Sequence, residues 1–169
     1  PGDGLRGDIL VIGFGRFGQI VSQPLLAKGH TISIIDNNTE MVQAAGQFGF
    51  KVYYGDGTRL DILRAAGAET ADLVIVAVDK QDNSRRIVEL MKSEFPLVKV
   101  MARAFDRAHA IALVKAGVDY QIREVFESAL TFGREALQLL GSTSEEAEEV
   151  VHDVRDRDQR RFEAQLLGG

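Results

Sequence analysis

The chain has 169 residues, 45% of them hydrophobic and 27% charged, with a formal net charge of −5 and no cysteine. That length suits one domain with an appendage, no apolar run reaches the eighteen or so residues of a membrane span, and disulfides, thiolate metal sites and thiol chemistry are excluded. The charge is uneven: residues 142–169 hold eight acids against four arginines while the rest of the chain is close to neutral, so no basic face offers itself to nucleic acid.

Residues 1–7 lack a charged-then-apolar leader pattern and read as a linker or terminal edge. Asp8-Ile-Leu-Val-Ile predicts a strand, followed by a glycine-rich turn and a helix from Arg16 to Lys28, closed by Gly29. Thr31 to Ile35 predicts a second strand ending at Asp36, and Asn37, Asn38 and Thr39 offer caps for a helix reaching Gln47. The alternation continues with a strand at 51–54, a short helix at 58–66 and a strand at 73–77. A helix at 81–93, a strand at 98–102, a helix at 107–115 and a strand at 119–122 follow. Fully apolar strands between helices signal a parallel sheet buried on both faces. The fold class is therefore α/β, a Rossmann-like doubly wound sheet of about six strands over residues 8–123.

After Ile122 the pattern changes. Residues 124–140 place Val125, Phe126, Ala129, Leu130, Phe132, Gly133, Ala136, Leu137 and Leu140 on one wide helix face. Gly141-Ser142 breaks that helix, and a polar, acidic helix runs from about Glu145 to Leu166. Packing back on their own domain is one use for these two helices. The other, preferred because every crossover already has its helix, is a C-terminal extension (124–169) that meets a partner subunit.

Gly13-Phe14-Gly15-Arg16-Phe17-Gly18 matches G-x-G-x-x-G after a strand and at the start of a helix. The first glycine permits the tight turn, the second lets backbone approach a phosphate, and the third packs helix against strand. Asp36 ends the second strand, where a carboxylate accepts ribose hydroxyls and repels a 2′-phosphate. Asp56-Gly57-Thr58, Asp79 and Arg103 follow later strands on the same edge. The expected nucleotide site is Gly13, Phe14, Gly15, Arg16, Phe17, Gly18, Asp36, Asn37, Asp56, Gly57, Thr58, Ala77, Asp79 and Arg103, with AMP or NAD(H) as ligand. His30, His109 and His152 have no metal-ligand spacing, no nucleophile–base pair stands out, and no substrate domain follows the sheet. No metal and no catalytic residue are expected.

Gly13-Phe-Gly-Arg-Phe-Gly-Gln, Asp36 and Tyr54-Gly-Asp-Gly-Thr together resemble the regulator-of-potassium-conductance domain of potassium channels and transporters. Phe48-Gly, Arg64-Ala-Ala-Gly-Ala, Phe95-Pro, Ala102-Arg-Ala and above all Arg123-Glu-Val-Phe-Glu-Ser-Ala-Leu resemble the glutathione-gated potassium efflux (Kef) antiporters. That resemblance implies a cytoplasmic regulatory domain at the bacterial inner membrane. It would work as a homodimer joined to the transmembrane antiporter portion of the same polypeptide, with an ancillary oxidoreductase-like protein as a further candidate partner. It implies a nucleotide in the Rossmann site and glutathione, or a glutathione adduct, as regulatory ligand. By position, Arg123 grips a glutathione carboxylate, Asp106 and Glu127 lie nearby, and Phe48 is displaced by an adduct's bulky group. Asp158 falls where an asparagine is expected, and its carboxylate weakens binding of an anionic tripeptide; Gln23 stands where arginine can occur. Without the resemblance, Arg123 reads as a surface salt bridge to Glu124 or Glu127. A nucleotide-gated subunit of a potassium uptake system and a small NAD-dependent oxidoreductase are the competing readings.

Overall fold

The computed structural model describes residues 8–168; the expected linker at residues 1–7 lies outside them. Fourteen elements follow one another: β1 (Ile9–Ile12), α1 (Arg16–Ala27), β2 (Ile32–Asp36), α2 (Thr39–Gln47), β3 (Lys51–Tyr54), α3 (Leu60–Ala65), a 3₁₀ turn (Ala68–Thr70), β4 (Leu73–Val76), α4 (Gln81–Glu94), β5 (Lys99–Ala104), α5 (Arg107–Lys115), β6 (Tyr120–Arg123), α6 (Glu124–Leu139) and α7 (Ser144–Gly168). The six strands form one sheet in the order β3-β2-β1-β4-β5-β6. Strand order reverses between β1 and β4, which pair in parallel from Ile9↔Leu73 to Ile12↔Val76. In such a sheet that reversal opens a crevice beyond the carboxyl ends of the strands.

The central strands β1, β2 and β4 form because they are largely β-branched and apolar on both sides. Every residue of β1 is buried, as are Ile32 to Ile35 in β2. Ile9, Val11, Ile32, Ile34 and Ile75 pack with Phe14, Ala45 and Ala77, and Phe17, Val21 and Leu25 of α1 cover them. Burying each such side chain contributes about 1.5–3 kcal/mol, so β1 and β2 hold the functional edge rigidly. α1 ends at Lys28 because Gly29 takes the left-handed conformation, φ +99°.

Several boundaries differ from the sequence reading. The helix expected from Thr58 starts only at Leu60, with Arg59 as N-cap. The Thr58 hydroxyl donates to Asp56 Oδ1 at 2.7 Å, so residues 56–58 close a turn of their own. The 3₁₀ turn at Ala68–Thr70 follows Gly67 at φ +87° and is too short to carry a periodic pattern. β5 runs on to Ala104 and β6 to Arg123.

The described residues pack as two compact units: residues 8–103 with 112–121, and residues 104–111 with 122–168. The second unit therefore takes in the start of α5, which lies inside the stretch read as purely Rossmann. Within it α6 packs along α7, which buries Ala147, Val151, Asp158 and Phe162, spaced by four, seven and four residues along one helix face.

Candidate nucleotide site and charged cluster

The first unit gathers the glycine-turn residues at the end of β1. Gly13 has φ +97°, and a Cβ there would stand 2.8 Å from the Ala77 backbone. A Cβ on Gly18 would collide with the Gly13 carbonyl oxygen. Gly15 is different: a Cβ there would meet no atom within 4 Å, and the residue is the N-cap of α1 with no side-chain cap. So two glycines let protein pack on protein, while the middle one faces open space at a helix start, where backbone N–H groups attract an anion. Arg16, exposed, is the first residue of the helix.

Asp36 is half-buried at the end of β2. Its Oδ2 accepts the Phe14 N–H at 2.7 Å and its Oδ1 accepts the Asn38 N–H at 2.8 Å. Each carboxylate oxygen keeps a second lone-pair direction, so the group holds the turn and still has capacity for a hydroxyl. It does not cap α2. Asn38 does, accepting from the Glu40 and Met41 N–H groups, and Asn37 is exposed between them. The β3 turn is tied to the same place by the Gly55 N–H, which donates to the Asp36 carbonyl at 3.0 Å. Gly57 is buried so closely on Ile12 that a Cβ would lie 2.6 Å from its side chain. The N–H and hydroxyl of Thr58 both donate to Asp56 and hold that carboxyl below the usual carboxylate range.

Across the switch point, Arg103 donates to the Val78 carbonyl at 3.2 Å and to Asp79 at 3.1 Å, with its guanidinium 5.4 Å from the centre of the Phe17 ring. Its side chain is 12% exposed and that of Asp79 is 90% exposed. Named contacts thus join Asp36 to Phe14, Thr58 to Asp56, and Arg103 to Asp79 and Phe17, while Arg16 and Asn37 are exposed and a Cβ on Gly15 would meet no atom. Phe50 was not singled out in the sequence. Its ring meets Phe14 edge-on at 5.3 Å and Phe48 at 6.5 Å, so it links the exposed Phe48 to the glycine turn.

The second unit brings Arg123 and Asp158 together and adds Arg107. Asp158 is 3% exposed. Both guanidiniums donate to it, Arg107 to Oδ1 and Arg123 to Oδ2, with a further Arg123 Nη1 contact to Oδ1 at 3.3 Å. The hydrogen bond from Arg123 is the main reason the Asp158 carboxyl is held below its ordinary value. This corrects the surface-bridge alternative for Arg123: the side chain is largely buried, pairs with Asp158 of α7, and sets its guanidinium 4.1 Å from the centre of the Phe126 ring, one turn along α6. Glu127 accepts instead from Arg155 at 3.0 Å. Asp106 caps α5, with Oδ1 accepting the His109 N–H at 2.8 Å. Phe48 and Gln23 lie in the first unit, both exposed. Arg107 was missed because nothing local marks a residue whose partner is 51 positions away.

No helix among the described residues is long and apolar enough to cross a membrane, and no group of potential metal ligands occurs among them. A family model described as the TrkA-N domain matches residues 9–124. A glutathione-regulated potassium-efflux system protein of Haemophilus influenzae is 47% identical over 165 residues, which is 98% of this chain and 27% of that protein. The glutathione-regulated potassium-efflux system protein KefC of Salmonella paratyphi B is 41% identical over 160 residues, 95% of this chain and 26% of the relative. The chain thus spans about a quarter of the length of these relatives. Among solved structures, the Shewanella denitrificans Kef CTD in AMP bound form superposes with a TM-score of 0.85 at 39% identity, over 94% of this chain and 97% of that one.

Proposed function

The chain belongs to the TrkA-N domain family, and we propose that it is the ligand-binding regulatory domain of a potassium efflux antiporter, at the cytoplasmic face of the membrane. It binds an adenine nucleotide, AMP or NAD(H), at the β1–α1 turn, and it distinguishes glutathione from glutathione adducts. The observation that carries the nucleotide half is the contrast among the glycines. Gly13 and Gly18 are filled by protein, Gly15 opens to solvent at the start of α1, and Asp36 stands beside it on the Phe14 N–H. A phosphate meets the Gly15–Arg16 end of α1, and the ribose hydroxyls meet Asp36. The same carboxylate repels a 2′-phosphate, so NADP is disfavoured. The AMP in the Shewanella domain supports this reading.

The regulatory half rests on the efflux-system relatives and on the chemistry of Arg123 in the second unit and of Phe48 in the first. A guanidinium suits a carboxylate, and an exposed aromatic at the end of α2 is free to move aside. The domain changes nothing covalently; it shifts a conformational balance through unequal affinity for two states. It works as a homodimer. α6 turns Val125, Ala129, Phe132, Ala136 and Leu139 outward, with Phe132 80% and Leu139 90% exposed. These positions alternate spacings of four and three, which is the seam one helix offers another.

Thermal unfolding with AMP, NADH, glutathione and a bulky glutathione adduct tests the whole reading, because a ligand of the native state raises the midpoint by mass action. A nucleotide and the adduct should each raise it, with additive shifts. Shifts by nucleotides alone would favour a nucleotide-gated subunit of an uptake system, and no nucleotide shift would remove the reading altogether.

A further inference from the structure

His109 lies in the first turn of α5 with only 4% of its surface exposed, and neither the nucleotide nor the glutathione reading uses it. Its ring is tied to the turn that precedes the helix. Asp106 caps α5: its Oδ1 accepts the His109 N–H at 2.8 Å, and its carbonyl accepts the Ala110 N–H at 2.9 Å. His109 reaches back in the other direction. Its Nδ1 accepts the Phe105 N–H at 3.0 Å, and the two rings are 5.7 Å apart between centres. Reciprocal bonds of this kind form a capping box, where the third helical residue is ordinarily glutamate or glutamine. Here an imidazole takes that place, and imidazole is the side chain that changes charge between pH 5 and 8.

A backbone N–H only donates, so Nδ1 carries no proton and the ring is neutral. Imidazolium has an N–H at both ring nitrogens and cannot accept from Phe105. It would also set a positive charge in buried surroundings and at the positive end of a helix. The charged groups that contacts bring to this turn are Asp106 and Arg107 of α5 and Asp158 of α7. Asp106 Oδ1 is committed to the His109 N–H, and Asp158 is shared by Arg107 and Arg123. His152, exposed on α7, is the other histidine of this unit.

We propose that His109 makes the first turn of α5 a proton-operated latch, closed while the imidazole is neutral and opened when Nδ1 takes up a proton. A proton is then an input to the second unit in its own right, independent of the nucleotide and glutathione readings. It reaches α7 through Arg107, which sits on the same turn and donates to Asp158 and Gln165. The opened turn frees an ordinary imidazole, which takes up its proton near pH 6.5, while the closed turn takes up none. Opening is therefore insensitive to pH well above 6.5 and grows as pH falls below it.

Hydrogen exchange reads the latch directly when each amide is expressed as protection relative to the unstructured rate at the same pH. Protection of the Phe105, His109 and Ala110 amides should fall about tenfold between pH 7.5 and 5.5. His109→Gln offers an amide oxygen that accepts at every pH, so protection of these amides, whatever its starting level, should not change over that range. His152 titrates in both chains and drops out of the comparison. Constant protection in the natural chain would overturn the latch, and so would an equal fall in the variant. If His109→Gln does not fold, nitrogen-15 spectra of the His109 ring in the natural chain decide. Nδ1 should be bare at pH 7.5 with the proton on Nε2, and protonation of Nδ1 should coincide with the loss of Phe105 protection. A proton on Nδ1 at pH 7.5, or one that arrives with Phe105 still protected, would refute the proposal.

Discussion

The glycine turn of the first unit and the arginine pair of the second are both suited to anions, and they are built in opposite ways. The turn uses backbone: a helix start, an open Gly15, and two glycines that exist because protein crowds them. The pair uses long side chains whose charge is neutralised inside the fold by Asp158. A backbone site is ready before the ligand arrives and is damaged by adding atoms. A side-chain site with an internal partner is damaged by removing them. The two regions should therefore answer mutation with opposite signatures.

The largest expected effect is at the pair. Asp158→Ala leaves two guanidiniums without their acid, and breaking a buried pair costs about 3–5 kcal/mol. A drop of that size in denaturant titration, with AMP affinity unchanged, keeps the regions separate; a loss of AMP binding would merge them. Gly13→Ala comes next. It forces a side chain onto φ +97° and against the Ala77 backbone, at a cost of about 2–4 kcal/mol, with AMP binding lost as well. Gly15→Ala should sharpen the contrast. Its Cβ meets nothing, so stability should stay within about 0.5 kcal/mol while calorimetry shows AMP affinity falling at least tenfold. An unchanged AMP affinity would mean the open space beside Gly15 is not where phosphate sits.

Acid provides the next distinction. The Asp158 carboxyl is held below its ordinary value of 3.8, chiefly by Arg123. A depressed value means that its contribution is fully present above 3.8 and is lost as pH falls through the lower folded value. Between pH 5 and 3 the midpoint of the natural chain should fall faster than that of Asp158→Asn, and parallel curves would show the pair to be uncoupled from stability. The smallest effect is at Asn38, which caps α2. Asn38→Ala should cost about 1 kcal/mol and leave AMP binding intact, since the proposed site uses Asp36 rather than the cap.

The same contrast explains what could be read from the sequence. The six strands and the glycine turn were legible because each is local: β-branched runs and a glycine spacing. Asp36 was legible as the acid that ends the second strand, but its grip on the Phe14 N–H was not, because that bond spans 22 residues. The start of α3 was misplaced because Thr58 has two uses, and the nearer acid, Asp56, wins its hydroxyl. The apolar face of α6 was read as one wide stripe. In the fold Phe126, Leu130 and Leu137 turn partly inward while Val125, Phe132 and Leu139 stay exposed. Asp158 read as an acid that a glutathione ligand would encounter; that it is buried between Arg107 and Arg123 depends on three elements meeting, which no spacing encodes.

Isothermal titration of AMP into the natural chain and into Asp36→Ala tests the central claim most directly. The account predicts saturable one-to-one binding to the natural chain and a loss of at least tenfold in the variant, measured well below the variant's unfolding midpoint, which loss of the Phe14 and Asn38 N–H bonds should lower. Absence of AMP binding to the natural chain, or equal binding to both, would contradict it.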